Sequence, residues 1–143
     1  MELVSYSHSK GLYVYHLEWK TKYAYKMLRD IKYAKACEDI LHKIAERHRM
    51  GLLEVAILAE HVHVVVEAPP SISPAKAKQL LKGGSSYQLF RLEPKFRLRY
   101  PKGHFWSAGN FGRTVSDVDI DTARTYVREQ ASQYQQLTLP QFD

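Results

Sequence analysis

The fold is decided by a nine-residue stretch, Glu60-His61-Val62-His63-Val64-Val65-Val66-Glu67-Ala68. A run this rich in β-branched residues predicts a β-strand, whose successive side chains point to opposite faces. One face is then fully apolar and suited to a sheet core: Val62, Val64, Val66 and Ala68. His61 and His63 share the other face, with Cα atoms about 6.5–7 Å apart. Two imidazoles at that spacing can converge on one ion, which predicts a divalent-metal site.

Histidine pairs at this spacing also occur in strands that bind no metal, so a purely structural pair is the alternative interpretation. The other five histidines show no spacing pattern, and we expect them to be structural or solvated. They are His8, His16, His42, His48 and His104.

Hydrophobic periodicity and turn residues predict the remaining elements. In chain order these are a strand at 11–20, a helix at 32–50, a strand at 52–59, the histidine strand, a helix from Pro74, a basic loop at 91–100, two short strand-like pieces within 104–115 and a helix at 119–133. The pair Gly83-Gly84 is expected to interrupt or bend the second helix before Tyr87. Strand, helix, hairpin, helix, strand predicts an α+β domain with an antiparallel sheet.

Composition indicates one globular domain over residues 1–143, with a weakly determined tail from about residue 134. The chain is 45% hydrophobic and 25% charged, as in ordinary soluble proteins. We expect no membrane partner and a cytoplasmic location, because no apolar run reaches membrane-span length and the N-terminus lacks signal-peptide features. The single cysteine, Cys37, excludes an internal disulfide and a cysteine-based zinc cluster, and its place in a helical apolar stripe predicts a core residue.

The net charge of +6 is concentrated in one region. Between Lys76 and Lys102, eight basic residues face a single acid, Glu93. Aromatic residues are interleaved with them: Tyr87, Phe90, Phe96, Tyr100, Phe105 and Trp106. Cations that follow phosphates and rings that stack on bases are the ingredients of single-strand binding. The alternative is a solvated loop whose aromatic residues pack into the core.

The last predicted helix places Tyr126 and Gln130 one turn apart on one face. Ala123 and Val127 border that face and would hold the helix against the sheet. If the histidine face lies opposite, the Gln130 amide oxygen can complete the ligands of a metal ion, with the phenol of Tyr126 beside it. Two imidazoles, an amide oxygen and open positions suit Mg²⁺ or Mn²⁺. A tyrosine near such an ion can attack a phosphate, although a half-buried helix tyrosine is the simpler interpretation.

Five segments occur in a recognisable order between about Val14 and Gln130. They are Tyr15–Tyr23, Glu60–His63, Leu81–Ser86, Phe105–Ser107 and Tyr126–Gln130. Together they resemble the single-tyrosine HUH transposases of small bacterial and archaeal insertion sequences. Two positions depart from that pattern, Glu60 in place of the usual Asp and Ala24 in place of a basic residue.

The resemblance implies a ferredoxin-like (RRM-like) antiparallel sheet, with helices packed on one face and a C-terminal helix that bears the nucleophile. It also implies a homodimer formed by joining sheets, with active sites that combine the histidine pair of one subunit and the tyrosine helix of the other. The activity implied is cleavage and rejoining of single-stranded DNA with hairpin ends. It yields a 5′-phosphotyrosine and a free 3′-OH.

The sequence therefore predicts a metal-dependent DNA transposase acting at insertion-sequence ends. His61, His63 and Gln130 would hold Mg²⁺ or Mn²⁺, and Tyr126 would attack the phosphate. Further residues are predicted to contact DNA: Lys20, Lys22, Lys82, Ser85, Ser86, Arg97 and Arg99. The alternatives are a domesticated relative that processes palindromes, a non-catalytic ferredoxin-like nucleic-acid-binding module, and a metal-dependent nuclease that forms no covalent adduct.

Overall fold

A computed structural model describes residues 11–138 of the chain. Its helices and strands follow the order β1 (Tyr13–Thr21), α1 (Ile31–Arg47), β2 (Gly51–Ile57), β3 (His61–Ala68), α2 (Pro74–Leu92), β4 (Trp106–Val115) and α3 (Ile120–Thr138). Short 3₁₀ helices cover Lys22–Ala24, Pro94–Leu98 and Asp117–Asp119. Within this range, none of the helices has the length and apolarity of a transmembrane segment.

The four described strands form one antiparallel sheet in the order β2-β3-β1-β4. The first strand is central because it pairs with β3 on one side and β4 on the other. This order, with helices after β1 and β3, is the ferredoxin-like arrangement, so the predicted fold class is confirmed.

One sheet face carries the main hydrophobic core against α1 and α2. Alternate residues of β3 contribute Val62, Val64 and Val66, all fully buried, as the sequence predicts. Cys37 lies in the same core with no exposed surface, and burial raises the pKa of its thiol far above the ordinary range. The free thiol is therefore a packing residue.

The opposite face carries a second, smaller core under α3. Val14 and Val65 from the sheet pack with Ala123 and Val127 from the helix, and each of the four is at most 4% exposed. Ala123 and Val127 thus hold the last helix on the sheet, as predicted. The consequence for function is that this helix lies on the face that bears His61 and His63.

The second helix runs unbroken through Gly83-Gly84, so the predicted interruption there is wrong. Gly84 lies where α2 crosses α1: a Cβ at this position would come within 2.6 Å of Ile44 Cδ1. A Cβ at Gly83 would meet nothing within 4 Å. The glycine at 84 therefore permits close helix packing.

Three other elements also differ from the prediction. The basic loop at 91–100 is partly helical, because α2 extends to Leu92 and a 3₁₀ turn follows at Pro94–Leu98. The two strand-like pieces within 104–115 form one strand, β4, whose register with β1 shifts between Trp19 and Thr21. The final helix starts after a 3₁₀ turn and extends to Thr138, beyond its predicted end. The part of the tail after residue 138 lies outside the described residues.

We predict that Gly84→Ala and Gly83→Ala change stability in different directions. Alanine at 83 should raise the free energy of unfolding by up to about 1 kcal/mol, because alanine favours the helix and meets no neighbour. Alanine at 84 should be about 1–3 kcal/mol less stable than that matched variant, because it overpacks the contact with Ile44. Urea denaturation of both variants measures the difference. Equal effects at the two positions would show that Gly84 has no packing role.

Candidate active site

The pairing of β1 with β3 places five polar side chains on the face that α3 covers. Glu18 lies directly opposite His63, and Lys20 lies opposite His61. His16 precedes Glu18 by two residues and so points to the same face. A metal-ligating atom from each of His16, Glu18 and His63 lies within 4.8 Å of the other two. The site is therefore built mainly across two adjacent strands.

Tyr126 of α3 completes this cluster from the helix side. Its ring centroid lies 5.7 Å from that of His16 and 5.8 Å from that of His63, edge to face in both pairs. The tyrosine remains 45% exposed, whereas His63 is 3% exposed. A large substrate can therefore reach the phenol, while the imidazoles behind it are shielded from water. All these groups belong to one chain.

The buried imidazoles have polar atoms without hydrogen-bond partners. Neither His16 Nε2 nor His63 Nδ1 has a partner in the described part of the chain, and the closest carboxylate oxygen to His63 Nδ1, that of Glu18, is 3.8 Å away. Leaving such a buried atom unpaired costs about 1–3 kcal/mol. Two of them in one cluster beside a carboxylate fit a site that binds a metal ion.

Burial also keeps these imidazoles neutral. Desolvation, with smaller contributions from His61 and His16, lowers the pKa of His63 to about 4. Desolvation likewise lowers the pKa of His16, opposed by Glu18 and assisted by the positive charge of Arg113. Neutral imidazoles at pH 7 offer their lone pairs to a metal without first losing a proton.

Ion pairs hold the tyrosine helix against β2. Arg124 donates to the Glu54 carboxylate from Nε and Nη2, at 3.2 and 3.1 Å, and Arg128 donates to the same oxygen. The Glu54 and Arg124 side chains are only 15% and 17% exposed, so solvent screens their ion pair weakly, whereas Arg128 is 58% exposed. These contacts lie within one turn of Tyr126 on either side and help to fix its position over the histidines.

Of the predicted metal ligands, the structure brings together His61 and His63, whose ring centroids are 4.9 Å apart. His61 is partly exposed, and its Nδ1 lies 3.6 Å from Glu60 Oε1. Gln130 is half-buried on α3, one turn after Tyr126. Its role as a ligand stays a prediction.

Sequence patterns did not identify His16 and Glu18 as members of this cluster; His16 was expected to be structural or solvated, and it is buried. A signal was present, because His16-Leu17-Glu18 has the same alternating spacing as His61-Val62-His63. That spacing becomes informative only once β1 is known to pair with β3 in the register that sets Glu18 opposite His63.

A basic groove lies between the middle of α2 and the start of β4. It has a volume of about 480 Å³ and includes Lys22, Lys82 and Ser86 in its lining. Lys82 Nζ donates to the Ser107 carbonyl at 2.8 Å, and burial, with Lys78, lowers the pKa of Lys82. Ser86 Oγ accepts from the Phe105 amide at 3.4 Å. Three predicted DNA contacts thus line one surface.

The other predicted contacts divide into exposed and buried residues. Lys20, Arg97 and Arg99 are exposed, and the guanidinium of Arg99 lies 4.0 Å from the centre of the Tyr25 ring. Ser85 is fully buried and its hydroxyl accepts from the Trp106 indole at 2.9 Å. A direct DNA contact by Ser85 therefore conflicts with its position, which is a packing position.

Most aromatic residues of the basic region are core residues, so the expectation that they stack on bases is largely wrong. Phe90, Phe96, Tyr100, Phe105 and Trp106 are each at most 7% exposed. Tyr87 is 59% exposed, and outside this region Tyr23 is 65% exposed with a left-handed φ of 64°. Periodicity could not separate these cases, because the cluster forms between distant segments.

Comparison with known proteins gives consistent sequence matches. The family model described as "Transposase IS200 like" matches residues 9–130. The transposase of insertion sequence IS200 from Salmonella typhimurium is 28% identical over 141 residues, covering 95% of this chain and 90% of that protein. The ISDra2 transposase TnpA of Deinococcus radiodurans is 27% identical over 116 residues, covering 81% and 82% respectively.

Two solved structures have a similar fold. A protein of Deinococcus radiodurans assigned as a transposase superposes with a TM-score of 0.66 at 28% identity, covering 82% of this chain and 89% of that one. A REP-associated tyrosine transposase bound to a REP hairpin superposes with a TM-score of 0.59 at 10% identity, covering 85% and 67%. The second likeness concerns the fold alone.

Proposed function

Because the chain belongs to the IS200-like transposase family, we propose that it cleaves and rejoins single-stranded DNA at insertion-sequence ends through Tyr126. The observation that carries this proposal is the contact of an exposed tyrosine ring with two buried, neutral imidazoles. A phenol in that position is open to a DNA strand on one side and lies beside candidate metal ligands on the other. Neither a binding module nor a packing role requires this combination.

The proposed step is an exchange of one phosphodiester for another. The Tyr126 oxygen attacks phosphorus and forms a P–O bond, and the bond from phosphorus to the 3′ oxygen breaks. The phenol loses its proton and the departing 3′ oxygen gains one, so no water is consumed. The products are a 5′-phosphotyrosine and a free 3′-OH, and attack by a 3′-OH on the phosphotyrosine reverses the step. Retaining the ester bond is what permits rejoining without an energy source.

We propose that His61, His63 and Gln130 hold a divalent ion, Mg²⁺ or Mn²⁺, at this site. Support comes from the unpaired nitrogen of buried His63 and from the position of Gln130 one turn after Tyr126. When bound, such an ion withdraws charge from the phosphate oxygens and orients the group for attack. The residues of the chain hold the phenol in place and keep water away from the imidazoles.

The basic groove, together with the exposed cations, is the proposed DNA-binding surface. Phosphates are held by point charges and hydroxyls, which Lys22, Lys82 and Ser86 supply along the groove. One structural neighbour is described as bound to a REP hairpin, and we propose that this chain also binds DNA with hairpin ends. Buried Ser85 would support that surface indirectly through Trp106.

We predict that the protein forms a covalent adduct with single-stranded element-end DNA in the presence of Mn²⁺. Tyr126→Phe should reduce adduct yield by more than about 10³-fold, because it removes the nucleophile while keeping the ring. Tyr13→Phe is the matched control, since Tyr13 is also an exposed tyrosine but lies at the start of β1. Denaturing gel electrophoresis with labelled DNA measures the adduct. Unchanged yield from Tyr126→Phe would exclude that residue from the chemistry.

We propose that the protein forms a homodimer, and mixed variants test which subunit supplies each tyrosine. In the structure, Tyr126 contacts His63 of its own chain. We therefore expect that a mixture of His63→Ala and Tyr126→Phe proteins, denatured and refolded together, forms no adduct. Recovery of activity would instead show that α3 of one subunit serves the histidines of the other, as the family resemblance implies.

A further inference from the structure

Two polar residues that β1 contributes to the site, His16 and Glu18, are not among the metal ligands proposed above. We propose that Glu18 and His16 are metal ligands and bind the divalent ion together with His63. This inference rests on the proposed function for the role of the ion, and it concerns which residues hold that ion. It adds a second strand, and a carboxylate, to a ligand set otherwise drawn from β3 and α3.

The geometry of the three side chains is that of a ligand set. Their ligating atoms lie within 4.8 Å of one another, and Glu18 Oε2 is 3.8 Å from His63 Nδ1. Ligands about 2.1 Å from an octahedral ion are about 3 Å apart when adjacent and about 4 Å when opposite. The separations of the three ligating atoms are therefore close to those that one ion would impose on them.

Buried nitrogens without hydrogen-bond partners point to a ligand at this position. His16 and His63 are more than nine-tenths buried, and each has a nitrogen without a hydrogen-bond partner in residues 11–138. At 3.8 Å, Glu18 is too far from His63 Nδ1 to accept a hydrogen bond. The hydrogen bonding of this cluster is thus incomplete among residues 11–138. The rings of His16 and His63 are stacked, with their centroids 5.9 Å apart.

The chemistry of the cluster favours the same conclusion. Mg²⁺ and Mn²⁺ prefer oxygen ligands, and a carboxylate is the strongest oxygen ligand that a protein offers. The set of His61, His63 and Gln130 carries no negative charge. Arg113 adds a positive charge near His16, opposite which it lies on β4. Glu18 supplies the anionic ligand that offsets this charge.

The position of β1 makes the site independent of the tyrosine helix. Glu18 and His63 face each other across the central strand pair, whose hydrogen bonds fix their separation. Gln130, by contrast, depends on the docking of α3. A site based on β1 and β3 can therefore bind metal before DNA or the helix is in place.

The test measures metal binding by the full-length protein without DNA. Mn²⁺ affinity is determined from the electron paramagnetic resonance signal of the free ion. We expect Glu18→Gln to weaken binding at least tenfold and Glu18→Asp to restore part of it. Glu60→Gln is the matched control, because Glu60 is a carboxylate beside His61 but outside the cluster, and it should bind Mn²⁺ as the wild type does. Thermal denaturation without metal confirms that each variant is folded.

A spectroscopic readout separates a ligand from a residue that merely orients His63. Electron spin-echo modulation of bound Mn²⁺ counts coordinated imidazole nitrogens. We expect one nitrogen fewer in His16→Gln than in the wild type. An unchanged count, or a loss of affinity below tenfold in Glu18→Gln, would overturn the inference, as would failure of the wild type to bind Mn²⁺.

The outcome is distinguishable from failure of the proposed function. If Glu18→Gln binds Mn²⁺ normally while the wild type still forms a Tyr126 adduct, only the ligand inference is wrong. If Glu18→Gln loses Mn²⁺ while the wild type forms no adduct, the ligand set is right and the proposed chemistry is wrong.

Discussion

The structure depends on the register in which β1 pairs with β3. That register sets Glu18 opposite His63 and, two pairs further along, Lys20 opposite His61. The same pairing places the apolar side chains of both strands on the other face, where they form the main core with α1 and α2. A shift by one residue would exchange the two faces and bury the charged groups in that core. The hydrophobic effect that holds the fold together therefore also fixes the candidate site.

The last helix, α3, packs on this face of the sheet and places Tyr126 between the imidazoles and the solvent. Its apolar side chains Ala123 and Val127 pack in the second core. Arg124 and Arg128 form ion pairs with Glu54 of β2. Tyr126 lies at the protein surface, where its ring contacts the imidazoles on one side and is exposed on the other. A nucleophile for a macromolecular substrate needs this intermediate position, because a fully buried phenol could not meet a DNA strand.

Features that depend on neighbouring residues in the sequence, such as strand alternation and helical spacing, were predicted correctly. Alternation along β3 identified both its buried valines and its histidine pair, and helical spacing identified the face of α3 that bears Tyr126. Features that depend on which strands pair were not predicted. His16 and Glu18 form a cluster with His63 only because β1 pairs with β3. The aromatic residues of the basic region were assigned to DNA, because sequence alone does not show that Phe96 and Phe105 pack on each other at 5.5 Å. The pair Gly83-Gly84 was expected to interrupt or bend α2 for the same reason, since Ile44, which lies beside Gly84, is forty residues away in the sequence.

The central claim is that the Tyr126 phenol lies beside a divalent ion bound at the histidine face. The most direct measurement incorporates 3-fluorotyrosine at the ten tyrosine positions and records the fluorine resonances during Mn²⁺ addition. The Tyr126 resonance is identified by its loss in Tyr126→Phe, and Mg²⁺ serves as the diamagnetic control. We predict that Mn²⁺ broadens the Tyr126 signal beyond detection while that of exposed Tyr87 on α2 stays sharp. A Tyr126 signal as sharp as that of Tyr87 with Mn²⁺ bound would contradict the account.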